Sequence, residues 1–264
     1  MNTHTKAYRI SGIAVGMALA MAISVDAADW GTLKGRFVLD GDPGDPAKVN
    51  VNKDTEFCGK HNLVDEVIVA GDDGSLANVF VYLYLKTGKK VDIHPDLESP
   101  GDEPVVLDNK GCRFEPHAVV LRTSQTLQVS NSDTVAHNTN LTLTKNPGFN
   151  QIVPNDSPLS MTFQKVESYP SPAACNIHPW MKAYVLIRDN PYMAVSGADG
   201  SFEIANIPAG KHEFIFWHEA KGNMKGLEVS GEKTSNRGRA ELTIPAGDTL
   251  DLGDVKVSTS VLGK

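Results

Sequence analysis

Hydrophobic and polar residues alternate over short stretches along most of the chain after residue 30. The apolar stretches are rich in Val, Ile, Phe and Tyr, as in ANVFVYLYL, AVVLR, AYVLIRD and HEFIFWH, and turn-forming stretches such as DGDPGDP, GDDG and PAG separate them. This pattern is typical of β-strands. No segment combines a sustained helical period with capping residues. We therefore predict an all-β fold built as a sandwich or a barrel.

The predicted strands fall into three groups along the chain. Residues 28–104 form an N-terminal β-region, and residues 105–190 carry most of the motifs with chemical interest. Residues 191–264 form a third group, which follows the hinge-like stretch RDNPYMAVSGADG. The 264 residues of the chain suffice for one large or two modest domains with a buried core.

The N-terminal residues differ from the rest of the chain. Lys6 and Arg9 precede the uncharged apolar stretch SGIAVGMALAMAIS, and small residues follow as far as Ala27. This stretch is shorter than the roughly twenty residues of a membrane-spanning helix. We interpret residues 1–27 as a secretory signal peptide cleaved after Ala27, with a membrane anchor as the alternative. The mature protein is then periplasmic or secreted and has no membrane span.

Charge and cysteine content add two constraints. The formal net charge of -7 argues against nucleic acid as a partner. The three cysteines are Cys58, Cys112 and Cys175, and an odd number in an oxidising compartment indicates one disulfide and one thiol with another role. Of the three pairings, we predict Cys58 with Cys112, because Cys175 lies in a metal-binding type of motif. Such a bridge contributes about 4 kcal/mol in the chain-entropy model.

The motif CNIHPWM places the thiol of Cys175, the imidazole of His178 and the thioether of Met181 in one short loop. Each residue alone is more often an ordinary core or surface residue, but together they form a copper-binding set. Electron-transfer copper sites use two histidines and one cysteine, with a weak axial methionine. His137, in SNSDTVAHNTN, supplies the second histidine. We predict one mononuclear type 1 copper site, since this donor set suits zinc poorly.

The segment GCRFEPHAVVLRTSQTLQVSNSDTVAHNTN, followed by CNIHPWM, resembles the cupredoxins, the blue copper proteins, over roughly residues 105–188. The ligand loop is most similar to that of amicyanin and more loosely to those of plastocyanin and pseudoazurin. The resemblance implies a Greek-key β-sandwich. It also implies that Asn138 ties the two ligand loops together by hydrogen bonds. Pro179 and Trp180 would flank an exposed edge of His178, where electrons pass to a redox partner protein.

A second resemblance concerns the two ends of the chain. GADGSFEIANIPAGKHEFIFWHE is similar to the carboxypeptidase regulatory-like, or transthyretin-like, β-sandwich module at Gly200, Phe202, Ile204, Pro208 and Gly210. GTLKGRFVLDGDP resembles the first strand and turn of the same module. The ends then build either one sandwich around an inserted copper domain or two separate units. Proteins of this mixture are often labelled methylamine-utilisation proteins, which implies periplasmic redox work.

Three further histidines are candidate ligands. His117 is five residues from Cys112, and on one strand the two side chains would point to opposite faces. His212 and His218 are six residues apart and would share a face. We predict that His117 is structural and that His212 and His218 form a polar patch beside Trp217. A further metal site at these residues is left open.

Together these features predict a non-enzymatic, periplasmic type 1 copper protein that carries single electrons between redox partner proteins. The chain has no His-x-His pair of the kind that further coppers would need, and no hydrolase, metalloprotease or nucleotide-binding motif. Two alternatives stay open. One is a copper-binding or delivery module without electron-transfer activity, and the other is a structural β-protein.

Overall fold

The computed structural model describes Met1 and residues 29–263, and this part of the chain consists almost entirely of β-strands. It contains one short α-helix, α1 (Thr55–Cys58), and a 3₁₀ turn at Pro95–Leu97. The predicted signal peptide lies outside the described residues except for Met1. The described residues contain no helix with the length and apolarity of a membrane span. The prediction of an all-β fold is confirmed.

Nineteen strands are present among the described residues. The first nine are β1 (Trp30–Asp40), β2 (Phe80–Leu83), β3 (Val105–Lys110), β4 (Arg113–Glu115), β5 (Ala118–Arg122), β6 (Leu127–Asn131), β7 (His137–Leu141), β8 (Phe149–Val153) and β9 (Leu159–Met161). The others are β10 (Ser171–Ala174), β11 (Lys182–Arg188), β12 (Met193–Val195), β13 (Ser201–Pro208), β14 (Gly210–His218), β15 (Gly222–Asn223), β16 (Glu228–Val229), β17 (Glu232–Lys233), β18 (Arg239–Ile244) and β19 (Thr249–Ser258).

The strands form four larger sheets and one small hairpin, β16–β17. The first sheet has the order β13-β1-β19, and the second has the order β12-β2-β14-β15, with β18 also paired to β14. The third sheet has the order β5-β11-β10-β7-β8, and the fourth has the order β4-β3-β6-β9. Strands β3–β11 therefore form the third and fourth sheets, and the strands that precede and follow them form the first and second sheets and the hairpin.

The two ends of the chain build one sandwich. The first sheet packs on the second, and their shared core includes Leu33 and Phe37 from β1, Val81 from β2, and Phe214 and Phe216 from β14. These side chains alternate with residues that face away from this core, as expected for strands. Of the two arrangements that the sequence leaves open, the structure contains a single sandwich, and β3–β11 are inserted between β2 and β12.

The inserted strands build a second sandwich from the third and fourth sheets. Its core includes Leu107 from β3, Val119 from β5, Val129 from β6, and Val185 and Ile187 from β11. Along the chain, β3, β4, β6 and β9 lie in the fourth sheet, while β5, β7, β8, β10 and β11 lie in the third. The chain thus crosses repeatedly from one sheet to the other, and these crossings connect the two layers at several points.

The two sandwiches meet through the second and third sheets. Phe80 and Tyr82 of β2 and Ile215 and Trp217 of β14 pack in one buried cluster with Leu186 of β11. Strands β2, β5 and β11 at this seam are therefore covered on both faces. This explains why FVYL and AVVLR are continuous apolar stretches rather than alternating ones. The molecule is a stack of four β-layers, with a seam between the second and third layers.

A disulfide ties the N-terminal region to the inserted sandwich. Cys58, the last residue of α1, is bonded to Cys112 in the turn between β3 and β4, 54 residues further along the chain. The pairing predicted from the sequence is present. Because Cys58 and Cys112 are both fully buried, the bridge holds the segment around α1 firmly against the end of the inserted sandwich.

Candidate metal centre

Two loops at the same end of the inserted sandwich carry the predicted metal ligands. His137 is the first residue of β7, and Cys175 directly follows the last residue of β10. The two strands are antiparallel neighbours in the third sheet, with Ala174 opposite Asn140. This register places the start of β7 beside the end of β10. His178 and Met181 lie in the short loop that leads from β10 to β11.

The side chains of His137, Cys175 and His178 converge on one point. Sγ of Cys175 lies 3.9 Å from Nδ1 of His137 and 3.8 Å from Nδ1 of His178, and the two Nδ1 atoms are 3.0 Å apart. Metal–nitrogen and metal–sulfur bonds of about 2.0–2.3 Å separate donors on a common ion by about 3–4 Å. All three residues are buried. The three donors therefore fit one small metal ion.

Carboxylates hold both imidazoles in the orientation that metal binding requires. Nε2 of His137 donates to Oδ2 of Asp133 over 2.9 Å, and Nε2 of His178 donates to Oδ2 of Asp54 over 2.8 Å. With Nε2 protonated, Nδ1 of each ring is the atom that faces Cys175. A carboxylate behind a histidine ligand is a common device for fixing its tautomer and raising its basicity.

The pKa values of these residues reflect burial and their hydrogen bonds. Burial alone would lower the pKa of His137, but the hydrogen bonds to Asp133 and Cys175 raise it to about 9. Burial would raise the pKa of Cys175, yet the hydrogen bonds with His137 and with backbone N–H groups bring it below its usual range. The site thus favours the thiolate, which is the metal-binding form of cysteine. A metal that binds Nδ1 of His137 must displace its proton.

Burial is also the largest single influence on the pKa of His178, and for this residue, unlike His137, it sets the direction of the shift. It lowers the pKa below the usual value, although the hydrogen bond to Asp54 opposes the shift. For Asp133, burial alone would raise the pKa, and the hydrogen bonds from His137 and from the N–H groups of Cys112 and Gly111 bring it below its usual range. His178 is therefore a neutral imidazole ready to bind a metal, and Asp133 is a carboxylate.

Asn138 links the two ligand loops. Its Oδ1 accepts hydrogen bonds from the backbone N–H of Asn176 over 2.7 Å and of Ile177 over 3.3 Å, and it lies 3.5 Å from Sγ of Cys175. Its Nδ2 donates to Oδ1 of Asn150 on β8 over 2.8 Å. The loop after Cys175 is thus tied to β7 by a side chain adjacent to His137.

Met181 closes the loop that begins at Cys175. Its N–H donates to the carbonyl oxygen of His178 over 2.9 Å, and the N–H of Cys175 donates to the carbonyl oxygen of Met181 over 3.3 Å. Its side chain is buried in the same core cluster as Cys175. Met181 therefore lies in the same loop and the same core cluster as Cys175.

The prediction that His178 has an exposed edge is wrong. The side chain of His178 is 0% exposed, and Asp54, with a side chain 42% exposed, lies between its Nε2 and the solvent. Pro179 is exposed and Trp180 is half-buried. The ring centroid of Trp180 lies 5.1 Å from that of His178, and its Nε1 donates to the carbonyl oxygen of Cys112. The N-terminal segment tethered by the disulfide covers this histidine.

Asp133 and Asp54 differ in how clearly the sequence indicates that they belong to the site. Asp133 lies four residues before His137 in the SNSDTVAHNTN stretch, so its position in the sequence is a local signal that it belongs to the site. Asp54 is 124 residues from His178, and nothing in its neighbourhood marks it as part of the site. Its contribution depends entirely on how the N-terminal region packs against the inserted sandwich.

The other candidate ligands do not form a comparable group. Cys112, Asp133 and His137 also lie close together, but the sulfur of Cys112 is in the disulfide and offers no thiolate. Among the described residues, His117, His212 and His218 belong to no group of three close ligand atoms.

Each of these three histidines has another partner, and Nδ1 of His218 accepts a hydrogen bond from the N–H of Ala220 over 3.3 Å. His117 bonds to Glu219, and Nε2 of His212 donates to the carbonyl oxygen of Pro208 over 2.7 Å. His218 is fully buried rather than part of a polar patch. The expectation that Cys112 and His117 share a strand is wrong, because β4 ends at Glu115 and β5 begins at Ala118.

Comparisons with known proteins give partial structural matches. No protein-family model and no curated protein matches the chain. A variant of amicyanin in its reduced Cu(I) form is 18% identical with a TM-score of 0.30, and the match covers 33% of this chain and 85% of that one. A copper-containing nitrite reductase from Thermus scotoductus is 20% identical with a TM-score of 0.29, covering 39% and 24%. At these TM-scores the likeness supports no functional conclusion.

Proposed function

We propose that the protein binds one copper ion at a mononuclear type 1 site and carries single electrons between redox partner proteins. His137, Cys175 and His178 would be the principal ligands, and Met181 would be the weak axial ligand. A copper ion bound there supplies a one-electron Cu(I)/Cu(II) couple. The observation that carries the proposal is the convergence of two Nδ1 atoms and one Sγ within 3.0–3.9 Å in a buried position.

The surroundings of the donors support electron transfer. Asp133, Asp54 and Asn138 hold the two imidazoles and the cysteine loop through hydrogen bonds that do not involve a metal. A site whose donors are fixed by the protein changes little between two oxidation states, which favours fast electron transfer. The same burial opposes delivery of the ion to another protein, because the ion would have to pass Asp54 and Trp180.

The covered position of His178 changes where a partner would dock. Trp180 contacts the ring of His178 and is half-buried, and Pro179 beside it is exposed. We place the docking surface at Pro179 and Trp180, with the indole between His178 and the partner. A partly apolar surface of this kind suits brief, weak contacts between redox proteins.

A periplasmic or secreted location and a non-enzymatic role are part of the same proposal. The Cys58–Cys112 disulfide suits an oxidising compartment. Among the described residues, His137, Cys175 and His178 form a buried group of metal donors, and this suits an electron carrier better than an enzyme, since the buried donors leave substrate no direct access to the ion.

The test is the optical and electron paramagnetic resonance spectrum of the purified protein after addition of Cu(II). We expect an intense cysteine-to-copper absorption at about 600 nm. The Cys175→Ser and His137→Gln variants should lose it. His61→Gln is the matched control, because His61 is exposed and outside the site, and this variant should keep the colour.

The alternatives give different outcomes in the same experiment. Copper binding without the absorption at about 600 nm would favour a binding or delivery module. If the protein does not bind copper at all, the remaining alternative is a structural β-protein. For the electron-transfer proposal, the copper-loaded protein must also exchange electrons reversibly at an electrode, and irreversible loss of the ion on reduction would contradict it.

A further inference from the structure

A cavity of about 530 Å³ opens beside the seam between the two sandwiches, far from the metal centre. It is lined by residues 84–89, which follow β2, by Lys165, Val166, Ser168 and Tyr169, and by parts of β11, β14 and β18. Strand β11 starts next to Met181 and ends at Arg188 in the cavity wall. At about 3.3 Å per residue, the strand separates the cavity from the metal centre by about 20 Å.

The wall of this cavity is strongly basic although the whole chain carries a net charge of -7. It contains one carboxylate, Asp189, and six cationic side chains, which are Lys86, Lys89, Lys145, Lys165, Arg188 and Arg239. In the described part of the chain, none of the six has a carboxylate within 4.0 Å, and the ion pairs of Lys and Arg involve other residues. The cavity wall therefore carries an excess of positive charge that no ion pair among the described residues neutralises.

The burial of Arg188 shows that the positive charge of the cavity wall lowers the stability of the fold. Arg188 is only 7% exposed, and it donates from Nη1 to the carbonyl oxygen of Glu167 over 3.0 Å and from Nη2 to that of Leu83 over 3.4 Å. Its Nε has no hydrogen-bond partner among the described residues. A buried guanidinium without a counter-charge destabilises a fold unless something compensates it. An anion in the cavity would supply that compensation.

The rest of the wall limits the shape of the ligand. The guanidinium carbon of Arg239 lies 3.2 Å from the centroid of the Tyr84 ring, which holds this cation in place, and Tyr169 is 44% exposed. Leu85, Val166 and Ile215 add apolar surface. The volume of the cavity falls within the range of about 300–1,000 Å³ that is usual for small-molecule sites. A concave pocket of this size fits a small molecule.

We propose that this cavity binds a small organic dianion with a short apolar or aromatic part. The two anionic groups would contact the Lys and Arg side chains, and the apolar part would contact the wall formed by Leu85, Val166 and Ile215. Carboxylates and phosphate esters share this chemistry, since both accept charge-assisted hydrogen bonds from guanidinium and ammonium groups. The site is independent of copper binding.

Calorimetric titration of the purified protein with phthalate and, separately, with phenyl phosphate tests the proposal. We expect saturable binding of one equivalent of at least one of them, and no binding of neutral phthalamide. A preference for one dianion identifies the anionic group. Amide resonances of residues 84–89 and 165–169 should shift in the NMR spectrum during the same titration. No saturation by either dianion below about 10 mM would overturn the proposal.

Charge-reversal variants make the test specific to this cavity. Lys89 and Lys165 are exposed, so the double variant Lys89→Glu/Lys165→Glu should remain folded while the affinity falls by about tenfold or more. Lys225→Glu is the matched control, because Lys225 is exposed and lies outside the cavity. Its affinity should stay within about twofold of the wild type. Unchanged affinity in the double variant, or resonance shifts confined to another surface, would overturn the assignment.

Discussion

Oδ2 of Asp54 lies 2.8 Å from Nε2 of His178, although the two residues are 124 positions apart in the chain. Asp54 precedes α1 and has a left-handed backbone conformation, with φ 44° and ψ 44°. Its carbonyl oxygen accepts hydrogen bonds from the N–H groups of Phe57 and Cys58. Because Cys58 is bonded to Cys112, the carboxylate is held over His178 by a fixed segment. A region outside the inserted sandwich thus completes the candidate metal centre.

Asp54→Ala should loosen His178 and weaken copper binding. Without the carboxylate, Nε2 of His178 loses its acceptor, so the ring no longer favours the tautomer that leaves Nδ1 free for the metal. Nitrogen-15 NMR of the metal-free variant should show a larger fraction of rings protonated at Nδ1. Copper affinity should fall by about 10–100-fold. Asp54→Asn should restore part of the loss, because its amide oxygen still accepts a hydrogen bond.

The control for this prediction is Asp102→Ala, which removes an exposed carboxylate far along the chain from both ligand loops. It should leave the tautomer of His178 and the copper affinity unchanged. If Asp54→Ala behaves like this control in both measurements, the carboxylate only covers His178 and does not orient it.

The sequence revealed those parts of the site that are local in the chain. Cys175, His178 and Met181 occupy one loop, and His137 and Asn138 are adjacent, so residue types and spacing indicated them. The exposed edge of His178 is an expectation that rests on the resemblance of the ligand loop alone, and this resemblance does not extend to the segment that carries Asp54. A contact between residues 124 positions apart leaves no periodic trace in the sequence, because it depends on the packing of one region against another.

The fold was predictable to a similar depth. Alternation and turn residues indicated the strands, since each strand must present one face to a core. The order in which the sheets stack on one another is harder to predict from the sequence. The apolar stretches around Tyr82 and Leu186 indicated strands, but only the structure shows that these strands bury each other's outer faces at the seam.

Reduction of the Cys58–Cys112 disulfide should destabilise the protein substantially. The bridge spans 54 residues, and in the chain-entropy model a loop of this length contributes about 4 kcal/mol to the free energy of unfolding. Urea denaturation with and without reductant measures this difference. The experiment is best done on Cys175→Ser, which removes the free thiol and prevents exchange.

The double variant Cys58→Ala/Cys112→Ala, in the same background, is the companion measurement. It should match the reduced protein and show no further response to reductant. An unfolding free energy that reductant changes by less than about 1 kcal/mol would contradict the prediction and would mean that packing alone holds α1 in place.

Glu167→Gln should destabilise the inserted sandwich. The carboxylate of Glu167 is buried and accepts hydrogen bonds from Thr144, Lys145 and Asn146. Burial alone would raise its pKa, but these hydrogen bonds bring the pKa below the ordinary value of 4.5. An amide offers one acceptor atom and adds two donors without partners. We expect a loss of about 2–3 kcal/mol in the free energy of unfolding at neutral pH.

The pH dependence of the same residue gives a second measurement. A carboxyl group whose pKa is lower in the folded protein stabilises the fold above its unfolded pKa, and this stabilisation is lost as the pH falls through the folded pKa. The difference between wild type and Glu167→Gln should therefore shrink below pH 4.5. Glu203→Gln is the control, because Glu203 is exposed on β13, and its unfolding free energy should equal that of the wild type.

His218 should make the protein less stable as the pH falls from neutral. Burial lowers the pKa of this fully enclosed histidine from 6.5 to about 4, and the nearby His117 acts in the same direction. Between these two values the unfolded chain binds a proton that the folded protein does not bind. The free energy of unfolding must then decrease as the pH falls, by up to about 3 kcal/mol at pH 4.

His218→Gln separates this contribution from that of the carboxyl groups, which titrate in both proteins. Glutamine does not titrate, so the variant should lose less stability than the wild type between pH 7 and pH 4, whatever its stability at pH 7. Urea denaturation at a series of pH values gives the two curves. His61→Gln, at an exposed position, should reproduce the slope of the wild type. Parallel curves for wild type and His218→Gln would show that His218 binds a proton inside the folded protein.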